Sequence, residues 1–300
     1  MDLGTRWGRF RKSEAASGLA LVSPTAFYAF LLLAAPMATV LIYSLLTDGT
    51  TETGAKTVLP ILTFANYVEV WTGKIYRAIM FRSLYVSMAV TLATVLLAYP
   101  IAYFVSFHVK PSKKSMWLFL ITIPFWTSYV IRVFLWKVIL GYNGVINSAL
   151  MGIGIIDEPL QAINYNAGAM VMTLAHAYAP FAILPIFVAL EKIDRSLLEA
   201  GTDLGESKLM TFWRVTLPLS MPGVIASVLI VFIPTIGDYV TPDLIGGGKI
   251  PMIANMMEVK MLKQNDKALG SAIAVSAMLI VTAVSLLFLL LNRRFLRGQK

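Results

Sequence analysis

The sequence contains no cysteine. That excludes a disulfide framework and every thiolate metal site, and cysteine usage says nothing of the redox compartment. Charge is scarce as well: 14% of the 300 residues are Asp, Glu, Lys or Arg, too few to cover the surface of a water-soluble domain. Histidine occurs twice, as His108 and His176. There is no His-Glu-x-x-His pair and no Gly-x-Ser-x-Gly elbow, so zincin and serine-hydrolase chemistry lack their side chains. His176, alone in an apolar run, is expected to be a hydrogen-bonded packing residue. Gly246-Gly-Gly-Lys249 does not make a phosphate loop: the upstream glycine at Walker spacing is missing, and Ile250 stands where Ser or Thr must follow. No catalytic residue, metal site or nucleotide motif is expected in this chain.

What is abundant is hydrocarbon. Hydrophobic residues make up 58% of the chain, and the mean hydropathy is +0.74. A bilayer core of about 30 Å needs about 20 apolar residues of helix. Runs free of Asp, Glu, Lys and Arg extend over Leu19–Thr47, Ser83–Val109, Ser115–Ile131, Ala167–Leu190, Val215–Gly237 and Ala268–Asn292. The third continues past Arg132 and Lys137 to Leu140. The runs are continuously apolar rather than alternating, which excludes a β-barrel, and in lipid only helices then satisfy every backbone group. The expected fold is an all-α integral membrane protein with six transmembrane helices: one membrane domain, 19–300, after an N-terminal segment, 1–18. No cleavable signal peptide is expected, because the run after Arg6, Arg9, Arg11 and Lys12 is too long for one. Prolines in the spans are expected to mark kinks.

The net charge of +9 lies between the runs, so it reads as topology signal and lipid-headgroup contact rather than nucleic-acid binding. Basic residues gather in alternate connections. One set comprises the N-terminal segment, Lys110 to Lys114, Lys192 to Arg214, and Arg293 to Lys300. The stretch from Gly141 to Asn166 has none. The positive-inside rule therefore predicts both termini in the cytoplasm.

The inner connection from Glu191 to Pro218 has a pattern of its own. Ser196 followed by Glu199 matches a capping box, which predicts a short helix starting near Leu197. Gly205 suits the left-handed turn that ends it, and Ser207 suits the cap of a second short helix. A polar helix-turn-helix knob is expected on the cytoplasmic side. This segment resembles the EAA signature of ABC importer permeases, through Glu199, Ala200, Gly201 (in place of the second alanine), Asp203, Gly205 and Leu217-Pro218. Elsewhere, Ile123-Pro-Phe-Trp-Thr-Ser-Tyr-Val-Ile-Arg132 with Trp136, Gly144-Val-Ile-Asn147, and the segment Val231 to Gly247 resemble the spermidine/putrescine group of those permeases. The resemblance runs from the second span onward.

It implies a permease subunit of a bacterial inner-membrane importer. Its knob would dock on an ATP-binding subunit dimer, which carries the ATP and magnesium. A second, distinct permease chain and a soluble or periplasmic solute-binding protein would complete the assembly within the lipid. A polyamine is the implied solute, with opine-like or phosphonate-like compounds as the alternative. An ion-coupled secondary transporter is the rival from another class, but the runs hold no acid for a coupling ion.

Charge at membrane depth is costly and marks a pair or a pathway. Lys137 is expected to reach the interface along its stem. Arg132, about one turn deeper, either pairs with a carboxylate or guards the outer vestibule, and a cationic solute would require it to have a partner. Asp238 and Asp243 bracket Tyr239 at the end of the fifth span, and a carboxylate beside an aromatic face suits an ammonium group. Otherwise Asp238 caps a helix or pairs with Arg132, and Asp243 is solvated. Trp126, Tyr129 and Tyr178 either line the same path or pack the bundle.

Overall fold

The computed structural model describes residues 14–50, 56–160, 163 and 165–297. Residues 1–13 of the N-terminal segment, with Arg6, Arg9, Arg11 and Lys12, and Lys300 at the other end lie outside the described residues. In chain order the elements are α1 (Glu14–Ser44), a hairpin of β1 (Leu46–Thr50) and β2 (Lys56–Leu62), α2 (Ala65–Thr72), α3 (Lys74–Phe107), α4 (Pro111–Thr122) and α5 (Tyr129–Ile139). Then follow α6 (Val145–Gly152), α7 (Ala167–Glu191), α8 (Arg195–Asp203), α9 (Lys208–Thr211), α10 (Leu217–Ile236), α11 (Val240–Leu244), α12 (Ile253–Glu258), α13 (Lys267–Leu291) and α14 (Arg293–Arg297).

Five helices among the described residues are long and apolar enough to cross a membrane: α1, α3, α7, α10 with the turns leading into it, and α13. The sixth expected span is broken. α4 and α5 meet at 86° instead of forming one helix through to Leu140. The cause is local. Pro124 has no N–H and its ring crowds the carbonyl of Leu120, so the helix tightens into a 3₁₀ turn over Ile123–Trp126 and stops. Thr127 and Ser128 are extended. The hydroxyl of Thr122 donates to Phe119 O (2.9 Å), which also accepts Ile123 N–H, and that of Thr127 donates to Pro124 O (2.8 Å).

Two further expectations change. The second span begins at Lys74 rather than Ser83, because Lys and Arg end an apolar run without disfavouring a helix. The all-α reading also gains an antiparallel hairpin, with Asp48 opposite Val58 and Gly49 opposite Thr57. Thr47, Thr50, Thr57, Val58 and Ile61 supply the β-branched side chains that favour extended backbone.

α3 packs along α7, and α10 lies against both. Their shared core holds Val86, Val90, Ala98 and Ala102 with Met170, Leu174, Ile183, Ile186 and Val231. A second core joins Ile79 and Phe232 to Leu269 and Ile273 of α13. α1 packs on α13 at the periphery and leaves Leu21, Phe27, Phe30 and Leu33 exposed. α8 and α9 project as a knob from the end of the bundle where α3, α7 and α13 finish (the knob end). The hairpin, α2, α6, α11 and α12 gather at the far end, where Asp48 and Asp266 accept N–H groups of the first turn of α13.

Water is absent from the hydrocarbon region, so burial alone does not hold these helices together; close backbone approach and interhelical hydrogen bonds do. One close approach of α10 to α7 is at Gly223. A Cβ there would lie 2.5 Å from Pro185 O and 2.6 Å from Ala189 Cβ on α7. One turn on, Ser227 Oγ donates to Ala182 O of α7 (2.8 Å), and Tyr99 of α3 shares a hydrogen bond with Ser220 of α10 (2.7 Å). Replacing Gly223 by Val is expected to force α7 and α10 apart, at a cost of about 1–3 kcal/mol typical of overpacking. The measurement is thermal unfolding of the detergent-purified chain, with Gly223→Ala falling between Val and the native residue; an unchanged melting temperature for Val would refute the close contact.

Candidate functional site

The knob is built by caps. Asp194 Oδ1 accepts the N–H of Ser196 (3.0 Å), so α8 starts at Arg195 and not near Leu197. Asp194 takes the capping role expected of Ser196 because the chain is still extended at 194 and already helical at 196. The backbone N–H and then the hydroxyl of Ser196 hold the Asp194 carboxyl below the usual range. The exit is as expected. Gly205 has φ +80°, Gly205 N–H donates to Thr202 O (2.9 Å) and Glu206 N–H to Gly201 O (3.0 Å), which is a complete Schellman turn. Ser207 Oγ then accepts Met210 N–H (3.3 Å) and caps α9.

Gly201 is buried where the two short helices meet: a Cβ there would stand 3.1 Å from Thr211 Oγ1. Glu199, Ala200 and Asp203 are exposed beside Leu204, which is 84% exposed, and near Leu209 and Trp213, also exposed. The surface is therefore mixed acidic and apolar. Over Phe212–Thr216 the helix widens into a π turn, with Leu217 N–H bonded to Phe212 O. Pro218, second residue of α10, cannot donate to Arg214, and the wider turn accommodates its ring. Leu217 and Pro218 are half-buried there.

The knob's base is tied to the bundle by polar contacts that sequence reading missed. Glu191, last residue of α7, accepts from Ser106 Oγ (2.6 Å) at the end of α3 and from Lys114 Nζ (2.5 Å) in α4. Arg195 donates to Ser106 O (2.9 Å) and lies over the Phe107 ring at 5.6 Å. A charge ending an apolar span, as Glu191 does, was the available signal.

At the far end, Asp238 and Arg132 are buried, 6% and 9% exposed. Asp238 Oδ1 accepts Val240 N–H (3.1 Å) and Thr241 N–H (3.4 Å), so it does cap α11, while Oδ2 has no partner. Arg132 Nη1 donates to Ala177 O (3.3 Å), its Cζ stands 6.0 Å from the ring centres of both Phe125 and Tyr129, and Nε has no partner. No ion pair joins Arg132 to Asp238. Tyr129 stands between them in the bonding chain: its hydroxyl bonds Thr241 Oγ1 (2.8 Å), its face meets the guanidinium, and Tyr178 lies 6.4 Å away.

Tyr239 is exposed. Asp243, also exposed, accepts from Asn255 Nδ2 (3.0 Å), which donates as well to Tyr239 O (2.8 Å). Trp126 stands apart, 76% exposed and edge-on to Phe119. His176 accepts from Trp136 Nε1 (3.2 Å). The spacing Asp238-x-x-Thr241 hinted at the cap; nothing in the sequence pointed to Asn255.

A family model described as the binding-protein-dependent transport system inner membrane component matches residues 61–297. The chain is 34% identical over 242 residues to the spermidine/putrescine transport system permease protein PotB of Escherichia coli K12, covering 81% of this chain and 87% of that one. It is 34% identical over 237 residues to PotB of Haemophilus influenzae, covering 78% and 82%. A bacterial alginate ABC transporter, solved in complex with an alginate pentasaccharide-bound periplasmic protein, contains a chain that superposes with a TM-score of 0.73 at 16% identity, over 97% of this chain and 98% of that one, so its fold is alike.

Gly205→Ala is expected to cost about 1 kcal/mol, because a Cβ strains the left-handed conformation although nothing lies within 4 Å of it. Gly205→Asn, whose side chain tolerates that region, is expected to cost less. Unfolding of the two purified variants checks the order.

Proposed function

The chain belongs to the family of binding-protein-dependent transport system inner membrane components, and on that premise we propose that it is the permease subunit of an ATP-driven polyamine importer. The solute class is carried by one observation: identity of 34% to two spermidine/putrescine permeases along most of their length. The chain is a transport subunit and not an enzyme; ATP hydrolysis belongs to a separate subunit. The ion-coupled alternative is left without support.

In this reading the knob end faces the cytoplasm, with both termini. The basic residues of the connections support that orientation: Lys110, Lys113, Lys114, Lys192, Arg195, Lys208, Arg214, Arg293 and Arg294 all belong to helix ends or turns at the knob end. An ATPase pair holding ATP and magnesium docks on the exposed Glu199, Ala200, Asp203 and Leu204. Gly201 and Gly205 keep the knob compact, and Leu217-Pro218 joins it to α10. A second, homologous permease completes the pore, and a periplasmic binding protein delivers solute at the far end. Closure of the ATPases pulls the knobs together and exposes the far-end cluster.

There the open oxygen of Asp238 accepts an alkylammonium N–H, and the Tyr129 and Tyr178 faces stabilise the cation by about 0.5–2 kcal/mol each. In this reading Asp243, joined to Tyr239 through Asn255, stands near the cluster, and Trp126, set apart against Phe119, is left off the path. Arg132 favours a second reading. Among the described residues no carboxylate forms an ion pair with it, so a solute with an anionic group, opine- or phosphonate-like, has a guanidinium to meet. Binding assays of the purified binding protein with spermidine and with such an anion separate the two.

Two outcomes follow. Glu199→Lys in the assembled importer is expected to leave the chain in the membrane while uptake falls on the order of tenfold; unchanged coupled uptake would remove Glu199 from the docking surface. Asp238→Asn removes a charge-assisted bond of about 1.5–3 kcal/mol, so half-saturation of spermidine uptake should rise about 10- to 100-fold; normal uptake rejects Asp238 as a cation site.

A further inference from the structure

Chain connectivity alone would link the knob only to α7, which enters it, and to α10, which leaves it. Apart from Arg195, the side chains of α8 add little, since Gly201 is its one buried residue. Beside the packing of Phe212 on Tyr99 and Tyr103 of α3, the polar purchase on the rest of the bundle comes from one corner. There four elements meet: the end of α3, the first turns of α4, the end of α7 and the start of α8. Ser106 is the shared point. Its hydroxyl donates to Glu191 (2.6 Å), and its carbonyl accepts from Arg195 (2.9 Å). That carbonyl belongs to the last turn of α3, whose final internal bond is His108 N–H to Phe104 O, so Arg195 fills a vacancy that every helix C-terminus has. Lys114 closes the corner on Glu191, with 11% of its side chain exposed against 34% for Glu191. Partly shielded, charge-assisted and convergent on a helix end, these bonds are short and directional.

α4 leads from this corner to the elbow at Thr127–Ser128. Beyond the elbow α5 packs against α7 and α11 and carries Tyr129 and Arg132. No helical hydrogen bond spans the elbow: the first bond after it is Arg132 N–H to Ser128 O (3.1 Å). One side of the elbow is therefore fastened to the knob, and the other to the far-end cluster.

We infer that Glu191 and Arg195 are positioning residues that clamp the knob to the α3–α4 corner, so that knob and α4 move as one body. The elbow takes up that motion and shifts Tyr129 and Arg132 relative to Asp238. The inference rests on the reading that an ATPase drives the knob.

The test uses the whole importer, this chain with its second permease, ATPase and binding protein, in liposomes. Variants are Glu191→Gln, Arg195→Gln and Glu191→Asp. Glu191→Gln and Arg195→Gln are expected to retain the co-purified ATPase and its basal hydrolysis while solute moved per ATP falls on the order of tenfold, within the range by which residues remote from a ligand modulate coupling. Glu191→Asp is expected to restore most of it.

A second readout is independent of turnover. Spin labels at Ser112→Cys on α4 and Thr202→Cys on α8 should keep one separation with and without trapped ATP, while the separation from Thr202→Cys to Leu291→Cys on α13 changes. In Glu191→Gln the first pair should drift as well. Coupling within twofold of wild type, or a wild-type α4–α8 separation that changes as much as the α8–α13 one, overturns the clamp. A wild-type complex that contains no ATPase overturns the docking reading and the clamp with it, which is a different and recognisable result.

Discussion

In hydrocarbon a backbone amide has no water to bond, and an unpaired one costs several kcal/mol. The architecture follows from that constraint. Inside the spans several hydroxyls turn back onto their own helices, as Thr91 does to Ser87 O (2.7 Å), Thr94 to Val90 O (2.7 Å) and Thr235 to Val231 O (2.6 Å), and Ser227 reaches across to Ala182 O. Polarity that is free to do something else is pushed to places where a ladder cannot close: helix ends and prolines. The knob, the elbow and the far-end cluster are all such places.

Pro218 and Pro124 pose the same problem and receive different answers. Before Pro218 the ladder reaches back one residue further, from Leu217 to Phe212 O, and the helix continues into α10 without a break. Phe212 then meets Tyr99 and Tyr103 of α3 edge-on, at 5.6 and 6.0 Å, so the widened turn is braced. After Pro124 come Thr127 and Ser128, whose short polar side chains compete for backbone groups, and the chain stops and turns by 86°. A continuous rod transmits displacement along its axis; an elbow converts it into rotation. α10 is of the first kind and α4–α5 of the second.

The parts legible in the sequence were those governed by local pattern. The runs Ala167–Leu190 and Ala268–Asn292 lie within one or two residues of α7 and α13 at each end, because apolar length is what lipid selects. Gly205 and Ser207 took their expected roles because a left-handed turn and a cap are decided by one residue each. Where two residues competed, as Asp194 and Ser196 did, the one with extended backbone won. The hairpin was invisible because its one apolar stretch, residues 58–62, is far too short for a span and holds a proline, which argues against a strand. The corner at Ser106 was hidden for another reason: its partners are 77 to 89 residues apart in the chain, and only the packing of α3 on α7 brings them together.

Arg132 and Asp238 are buried, each with one polar atom unpartnered. A buried ion with part of its hydrogen-bonding capacity unused is destabilising unless another charge or a ligand completes it. Closing the two onto each other would relieve both, yet Tyr129 prevents it: its hydroxyl is held by Thr241, the residue whose N–H also binds Asp238, and its face is turned to the guanidinium. Tyr129 is the first residue of α5, immediately beyond the elbow. On the proposed clamp, a rotation that begins at the knob reaches Tyr129 through the elbow, and with it the surroundings of both Asp238 and Arg132.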